Sequence, residues 1–178
     1  MQFIPNGPDV PDVLLQAQDE DKVVFFCGAG ISYPAGLPGF EGLVAQVYDD
    51  LGTVPEPIEN DSISKGRFDV ALDLLERRYP GGRIRVRQAI QRVLIPDFTN
   101  PSATSAHEAL LQLSRGSDAQ LRLVTTNFDR VFERIGQMAT PRFASYAAPM
   151  LPIPKASRWN GLVYLHGLLP DDDDDSAL

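Results

Sequence analysis

The sequence predicts a Rossmann-like three-layer α/β fold with a mainly parallel sheet. Short apolar runs, typical of strands covered on both faces, alternate with longer segments whose apolar residues recur at helical spacing. This alternation favours a parallel sheet with crossover helices. Three of the apolar runs also end in polar or glycine-rich tips, which is where open α/β sheets bind ligands. We expect one domain over residues 1–170 and a disordered acidic tail over 171–178.

Four segments have the apolar, β-rich character of strands. The first, "VVFFC" (residues 23–27), is continuous and followed by glycines, and we expect it to be covered on both faces. The others are "QLRLVTTNF" (120–128), "RFASYAA" (142–148) and "GLVYLHG" (161–167). Their order along the chain, with helical segments between them, predicts a mainly parallel sheet.

The helical segments have apolar residues spaced three or four apart. "FEGLVAQVYDDLG" shows this spacing and stops at Gly52, and "PGG" breaks the chain between the next two helices. "TVPEPIENDS" (residues 53–62) is expected to be a proline-broken polar connection. The remaining predicted helices are "RFDVALDLLERRY", "IRVRQAIQRVLI", "SAHEALLQLS" and "DRVFERIGQM" (67–79, 84–95, 105–114 and 129–138).

The charge balance argues against a broad nucleic-acid-binding face. The formal net charge is −8, and five of the negative charges come from the aspartates at 171–175, so −3 remains for the rest of the chain. Nucleic-acid-binding domains usually carry a strongly basic face. The one basic cluster, "ERRYPGGRIRVRQ" (residues 76–88), is expected to be a solvated helical face, with a local anionic-ligand patch as the alternative.

Cysteine content and hydropathy argue against disulfide-bonded, zinc-binding, membrane and secreted proteins. Cys27 is the only cysteine, which excludes an internal disulfide and a zinc site built from several thiolates. The longest apolar run is far too short to span a bilayer, and the first ten residues lack the layout of a signal peptide. We therefore expect a cytoplasmic protein that uses no zinc and does not associate with a membrane.

The segment "GAGIS" (residues 28–32) follows the first predicted strand. A strand followed by G-x-G and a helix lets backbone amides approach a pyrophosphate, whose charge the helix N-terminus favours. The strict G-x-G-x-x-G pattern is incomplete, because Tyr33 stands where the third glycine belongs. No acidic ribose ligand ends a second strand about 20 residues further on. A plain tight turn is the alternative for this segment.

Polar side chains follow the second and fourth predicted strands. Asn127 comes after two threonines, and His166 begins a His-Gly turn. Because the carboxyl ends of parallel strands meet at one edge of the sheet, we expect these tips to face the same crevice as the glycine turn. Asp129 would either face this crevice or cap the helix that follows it. His107, on the apolar side of its helix, is expected to be a buried core histidine.

The order of the motifs carries a family resemblance. "GAGIS", "GLPGF", "TTNFD" and "LHG" resemble the NAD-binding signature of the sirtuin superfamily, which runs GAGIS, G-I-P-D-F-R, T-Q-N-I-D and H-G. "PSATSAHEALLQL" (residues 101–113) also looks like the helix that precedes T-Q-N-x-D in that family. The resemblance covers roughly residues 23–167, which is nearly the whole chain.

Departures from the family pattern indicate a branch of the superfamily. Its protein deacylases carry a four-cysteine zinc module after the His-Gly turn, and this chain has a single cysteine. The G-I-P-D-F-R equivalent keeps the aromatic residue but lacks the acid and the arginine. The pattern is similar to bacterial sirtuin-like NADase domains of antiphage defence systems. That family normally continues past the His-Gly turn with another strand and a loop against the adenosine half of NAD. We expect this chain to be the N-terminal part of a longer protein; the alternatives are that a partner supplies that wall or that the pocket is incomplete.

The resemblance implies an NAD hydrolase that releases nicotinamide and ADP-ribose. It implies that Asn127 holds the water and the ribose, and that His166 acts as a base on a ribose hydroxyl or on the water. Asp129 would orient the nicotinamide end, unless it caps its helix. By the same resemblance, the diphosphate would contact Gly28, Ala29, Gly30 and Ser32, and the nicotinamide ribose would be covered by Phe40. Thr126 is a further residue at an NAD-binding position.

Two other functions remain open on the sequence. A non-hydrolytic NAD or ADP-ribose sensor would have the same fold and pocket without turnover, and a scaffold subunit would have a vestigial pocket. The resemblance also implies a homo-oligomer, or a complex with a separate defence subunit such as an ATPase or a nucleic-acid-guided sensor. No membrane and no direct nucleic-acid contact is expected, and no cofactor beyond NAD as the substrate.

Overall fold

The computed structural model describes residues 1–136, 142–152 and 159–169. In these ranges the chain has the predicted Rossmann-like α/β class, with a four-stranded sheet in which every pair of neighbouring strands is parallel. The tail at 171–178 lies outside the described residues, as do the last two positions of the helix predicted over 129–138.

Each of the four predicted strand segments contains a strand. They are β1 (Phe25–Cys27), β2 (Arg122–Thr125), β3 (Ser145–Ala147) and β4 (Gly161–Tyr164). The strands are ordered β1-β2-β4-β3 across the sheet. All four residues of β4 are buried, as are three of the four in β2, because these two strands have neighbours on both sides.

The prediction that the first strand is covered on both faces is wrong. In the described residues β1 pairs only with β2 and forms an edge of the sheet. Phe26 is 63 % exposed and Val24, two residues earlier, is 47 % exposed, whereas Cys27 is buried. A continuous apolar run is typical of a doubly covered strand, but it does not distinguish a central strand from an edge strand.

Seven α-helices occur in the described residues. Five fall on predicted segments, whereas the first was not predicted and the third replaces an expected connection. The helices are α1 (Asp12–Asp19), α2 (Phe40–Asp50), α3 (Pro57–Ser64), α4 (Phe68–Arg78), α5 (Gly82–Val93), α6 (Ser105–Leu113) and α7 (Val131–Gly136). His107 of α6 is fully buried, edge-on to the Phe132 ring at 4.7 Å between centroids, which confirms it as a core histidine. No described helix is long and apolar enough to cross a membrane.

The prediction of a polar connection over residues 53–62 holds for 53–56 but is wrong from Pro57 onward, for a local reason. Pro57 is the first residue of α3, where a missing backbone N–H costs nothing and the fixed φ favours the helix. The Glu59 carboxylate accepts a hydrogen bond from the Glu56 backbone N–H at 2.7 Å, which satisfies one of the free donors at the start of the helix. Proline and carboxylates therefore start a helix here.

The described residues divide into two compact units. The first comprises Met1–Gly28, Ser105–Phe128 and Phe132–Leu168, and contains the whole sheet with α1 and α6. The second comprises Ala29–Thr104, Asp129–Val131 and the described residue Leu169, and contains the helices from α2 to α5. Each unit is described separately below.

A buried ion pair links three elements of the second unit. The Arg78 guanidinium donates to both carboxylate oxygens of Glu59, at 2.7 and 2.9 Å, and to the Val54 carbonyl at 2.8 Å. Glu59 is 1 % exposed. Burial opposes its ionisation, but Arg78, the Glu56 N–H and the Tyr48 hydroxyl together lower the pKa of Glu59. Arg78 therefore fixes α4 to α3 and to the segment that precedes α3.

Gly161 is required where β4 begins in the first unit. Its φ is +147°, and a Cβ at this position would lie 2.2 Å from the Ala144 carbonyl oxygen, just before β3. We expect Gly161→Ala to lower the free energy of unfolding by about 1–3 kcal/mol, because the backbone must leave a conformation that alanine rarely adopts. Urea unfolding measures this change. Gly66 also has a positive φ, but a Cβ there would meet no atom within 4 Å. Gly66→Ala is therefore expected to lower the free energy of unfolding by less. Equal costs would contradict the steric argument.

Candidate functional site

The glycine turn at the end of β1 lies against the end of β2. The Thr126 backbone N–H donates to the Cys27 carbonyl at 3.1 Å, so the pairing of the two strands continues one residue beyond β2. A Cβ on Gly28 would lie 3.3 Å from the Thr126 hydroxyl oxygen. Glycine therefore lets the chain leave β1 close to Thr126. Both residues are predicted NAD-binding positions, and the first unit brings them together.

Asn127 is held at the end of β2 by a local hydrogen bond. Its backbone N–H donates to the Thr125 hydroxyl at 3.1 Å, a turn in which a threonine side chain replaces a strand partner. The residue is 5 % exposed. Its position is therefore set by the strand end, as the T-T-N sequence predicts, and its amide group can both donate and accept.

His166 follows the adjacent strand. The Leu165 N–H donates to the Thr125 carbonyl at 3.0 Å, which extends the β2–β4 pairing by one residue, and His166 comes next. The imidazole is exposed and lies edge-on to the Phe128 ring, with 6.2 Å between the ring centroids. Gly167 then has φ +96° and turns the chain. His166 therefore stands at the same end of the sheet as Asn127.

In the second unit, the rest of "GAGIS" forms a 3₁₀-helix over Ala29–Ala35. Gly30 is exposed, and a Cβ at this position would meet no atom within 4 Å. Tyr33, in place of the third glycine of a dinucleotide fingerprint, is 60 % exposed. The segment therefore starts with a tight 3₁₀ turn, which differs from the longer helix expected after a dinucleotide-binding turn.

Asp129 is a buried anchor of the second unit. It is 4 % exposed, and one carboxylate oxygen accepts the Ser32 hydroxyl at 3.0 Å. The other oxygen accepts the Val131 backbone N–H at 3.1 Å, at the start of α7. This is the capping contact that the sequence offers as the alternative role for Asp129. Ser32, predicted to contact the diphosphate, is 1 % exposed, and its hydroxyl donates a hydrogen bond to Asp129.

We expect Ser32→Ala to lower the free energy of unfolding by about 1.5–3 kcal/mol, since a hydrogen bond to a buried carboxylate is lost. Ser64→Ala is the matched control: its exposed hydroxyl donates only to the Asp61 carbonyl at 3.0 Å, and the expected loss is below about 0.5 kcal/mol. Urea unfolding of both variants gives the two values. Equal losses would mean that the Ser32–Asp129 contact contributes nothing.

Phe40, the predicted cover for the nicotinamide ribose, is the first residue of α2. It is 40 % exposed, and its ring lies 5.5 Å from that of Phe68 in α4, tilted by 50°. The contact supports one side of the ring and leaves part of it accessible. Phe40 therefore presents an aromatic surface on the second unit, and its contact with a ribose stays a prediction.

The predicted site residues belong to both units. Four of them lie at the carboxyl ends of three adjacent strands in the first unit: Gly28, Thr126, Asn127 and His166. The others lie in the second unit: Ala29, Gly30, Ser32, Phe40 and Asp129. Sequence reasoning missed Phe128, whose ring contacts His166. The signal in the sequence was the position of Phe128 between Asn127 and Asp129. An aromatic ring beside a proposed catalytic residue restricts the orientation of that residue's side chain.

A groove elsewhere in the first unit has a volume of about 250 Å³. It lies between α7 and β3 and is lined by Glu133, Gly136, Arg142, Phe143 and Ser145. None of these is a predicted site residue. The groove therefore does not bear on the NAD hypothesis.

The sequence is similar to that of the uncharacterized protein y4cA from Sinorhizobium fredii (strain NBRC 101917 / NGR234). The two are 37 % identical over 171 residues, which are 94 % of this chain and 14 % of the relative. The chain thus spans about one seventh of the relative's length. No protein-family model matches the chain, and no solved structure matches it.

Proposed function

We infer that this chain is an NAD hydrolase of the sirtuin-like type, which cleaves the nicotinamide–ribose bond. The observation that carries the proposal is the common position of Gly28, Asn127 and His166 at the carboxyl ends of three adjacent parallel strands. Ligands of open α/β sheets bind at this edge. The order of the four sequence motifs adds support that no single motif would give.

The reaction needs few protein groups. Nicotinamide leaves as a neutral molecule from a cationic pyridinium, so no general acid is required. The barrier lies in the electron-poor ribose, which resembles an oxocarbenium ion as the bond breaks. Water then adds to the anomeric carbon and loses a proton, which gives ADP-ribose. The catalyst must hold the ribose, place the water and accept that proton.

The side chains at the strand ends suit these tasks. The Asn127 amide can accept a hydrogen bond from water and donate one to the ribose. A neutral imidazole carries one nitrogen that can accept a proton, so His166 suits the role of the base. Its exposure leaves it accessible to a ligand. In this proposal Asp129 acts as an anchor for Ser32 and for the start of α7, a role its two hydrogen bonds support.

One assay tests the function against its alternatives. The purified chain is mixed with NAD, and free nicotinamide and bound NAD are measured separately. Turnover with release of nicotinamide is expected, at a low basal rate where the chain is not assembled. Binding without turnover would indicate the sensor, and neither binding nor turnover would indicate a scaffold. Either result would overturn the hydrolase proposal.

Location and partners belong to the same proposal. An enzyme that destroys NAD acts where NAD is present, which favours the cytoplasm, and its activity must be restrained until needed. Gating by assembly, as a homo-oligomer or with a separate defence subunit such as an ATPase or a nucleic-acid-guided sensor, would supply this restraint. Full activity of the isolated monomer would contradict such gating.

A further inference from the structure

We propose that Phe128 orients the proposed base: its ring restricts the rotation of the His166 imidazole at the end of the sheet. Phe128 is thus a positioning residue, which acts through His166 and not on NAD itself. Both residues belong to the first unit. The catalytic consequence rests on the proposed hydrolase function, whereas the orientation of the imidazole can be measured without NAD.

The two rings meet edge to face. Their planes are inclined by 82° and their centroids lie 6.2 Å apart, which is the geometry that aromatic pairs prefer. In the described part of the chain, the exposed His166 imidazole makes no hydrogen bond and no ion pair. The contact with Phe128, which is half-buried, is therefore the interaction that bears on its orientation.

The backbone segments that carry the two rings are tied to one buried residue. The Thr125 hydroxyl accepts the Asn127 N–H at 3.1 Å, and the Thr125 carbonyl accepts the Leu165 N–H at 3.0 Å. Phe128 directly follows the first of these donors, and His166 directly follows the second. The backbones at the two rings are therefore held at a defined separation by the end of β2, and the ring contact does not depend on a distant loop.

An exposed imidazole needs such support to act as a base. Rotation about its Cβ–Cγ bond has broad minima, and a half-turn exchanges the places of Nδ1 and Nε2. A base accepts a proton only when the correct nitrogen lies within hydrogen-bond reach of it. Functional side chains are therefore usually held by neighbours that lock their rotamers. Loss of the Phe128 ring is expected to slow the chemical step more than it weakens NAD binding.

Proton NMR of the full 178-residue chain tests the orientation without NAD. The sequence has two histidines, so His107, buried against Phe132, is an internal reference. A nuclear Overhauser effect is expected between the ring protons of Phe128 and those of His166 in the wild type. Phe128→Leu keeps an apolar side chain without a ring current, and is expected to shift the His166 ring signals while those of His107 stay in place. Phe128→Tyr keeps the ring and is expected to retain the wild-type signals.

Nicotinamide release by the same variants tests the catalytic consequence. Phe128→Leu is expected to lower kcat about tenfold and to change KM less than about threefold, because a misdirected base slows the chemical step. Phe128→Tyr is expected to keep kcat within about twofold of wild type. Phe3→Leu removes a 66 % exposed ring of the same unit and is the matched control, with the wild-type rate expected. A wild-type kcat in Phe128→Leu, or equal losses in Phe128→Leu and Phe128→Tyr, would overturn the positioning role.

The two measurements separate this inference from the proposed function. A wild-type chain without turnover, whose His166 signals still depend on Phe128, would overturn the hydrolase and support the orientation. Turnover by a wild-type chain without the Overhauser effect, or with His166 signals that do not move in Phe128→Leu, would overturn the orientation alone. If Phe128→Leu fails to fold, the Overhauser effect in the wild type decides the matter without a variant.

Discussion

His166→Ala is expected to lower the rate of nicotinamide release from NAD at least about 10²-fold, because the proposed base that accepts the proton from water or ribose is lost. The imidazole is exposed and touches one described aromatic ring, so its removal leaves the core intact. Nicotinamide release at saturating NAD measures the effect, and NAD binding measured separately shows whether the loss lies in turnover.

Two comparisons make this result specific. Gln112→Ala removes an exposed side chain of α6 in the same unit and is expected to keep the wild-type rate. His166→Gln keeps a hydrogen-bonding side chain but cannot accept the proton, so it is expected to lose the activity as fully as His166→Ala. Full activity of His166→Ala would reject the base assignment, while Asn127 could still be tested by its own substitution.

Arg78→Met is expected to cause the largest loss of stability, about 3 kcal/mol in the free energy of unfolding. The Glu59 carboxylate, 1 % exposed, would remain buried without its cation. The adjacent Arg77→Met is a matched control, because the Arg77–Asp73 pair is largely exposed and contributes at most about 1 kcal/mol. Urea unfolding at pH 7 gives both values. Equal losses for the two arginines would contradict the importance of burial.

The same pair predicts a pH dependence. The pKa of Glu59 is lowered in the folded chain, so its stabilising contribution is present above the unfolded value of about 4.3 and is lost as pH falls through the lower folded value. The gap in unfolding free energy between wild type and Arg78→Met should therefore narrow between pH 7 and pH 3. A constant gap would mean that the interaction does not require the Glu59 charge.

The strand ends were predictable from the sequence because their signals are local. An apolar run ending in glycine or in polar residues marks both the strand and its tip, and a parallel sheet brings the carboxyl ends to one edge. This reasoning places Gly28, Asn127 and His166 correctly at three adjacent strand ends. It does not reveal hydrogen-bond partners. The hydrogen bond from the Ser32 hydroxyl to the Asp129 carboxylate is therefore known from the structure alone.

The features that sequence reasoning missed depend on contacts distant in the chain or on competing local signals. The position of β1 at the sheet edge follows from the strand order, which apolar runs do not encode. In α3, proline and a polar composition indicated a connection, yet Pro57 at the first helical position and the Arg78–Glu59 pair favour a helix. Arg78 lies 19 residues from Glu59, beyond the reach of a local pattern.

The strand order has a consequence for synthesis of the chain. β4 is the last of the described strands to be made, yet it lies between β2 and β3, and β3 has no other described neighbour. During translation, β3 therefore cannot join the sheet that contains β2 until β4, which ends at Tyr164, has left the ribosome. Incompletely folded chains with exposed apolar surface are prone to aggregate. A nascent chain that stops before residue 161 would lack the element that joins them, so slow translation there would favour recruitment of chaperones.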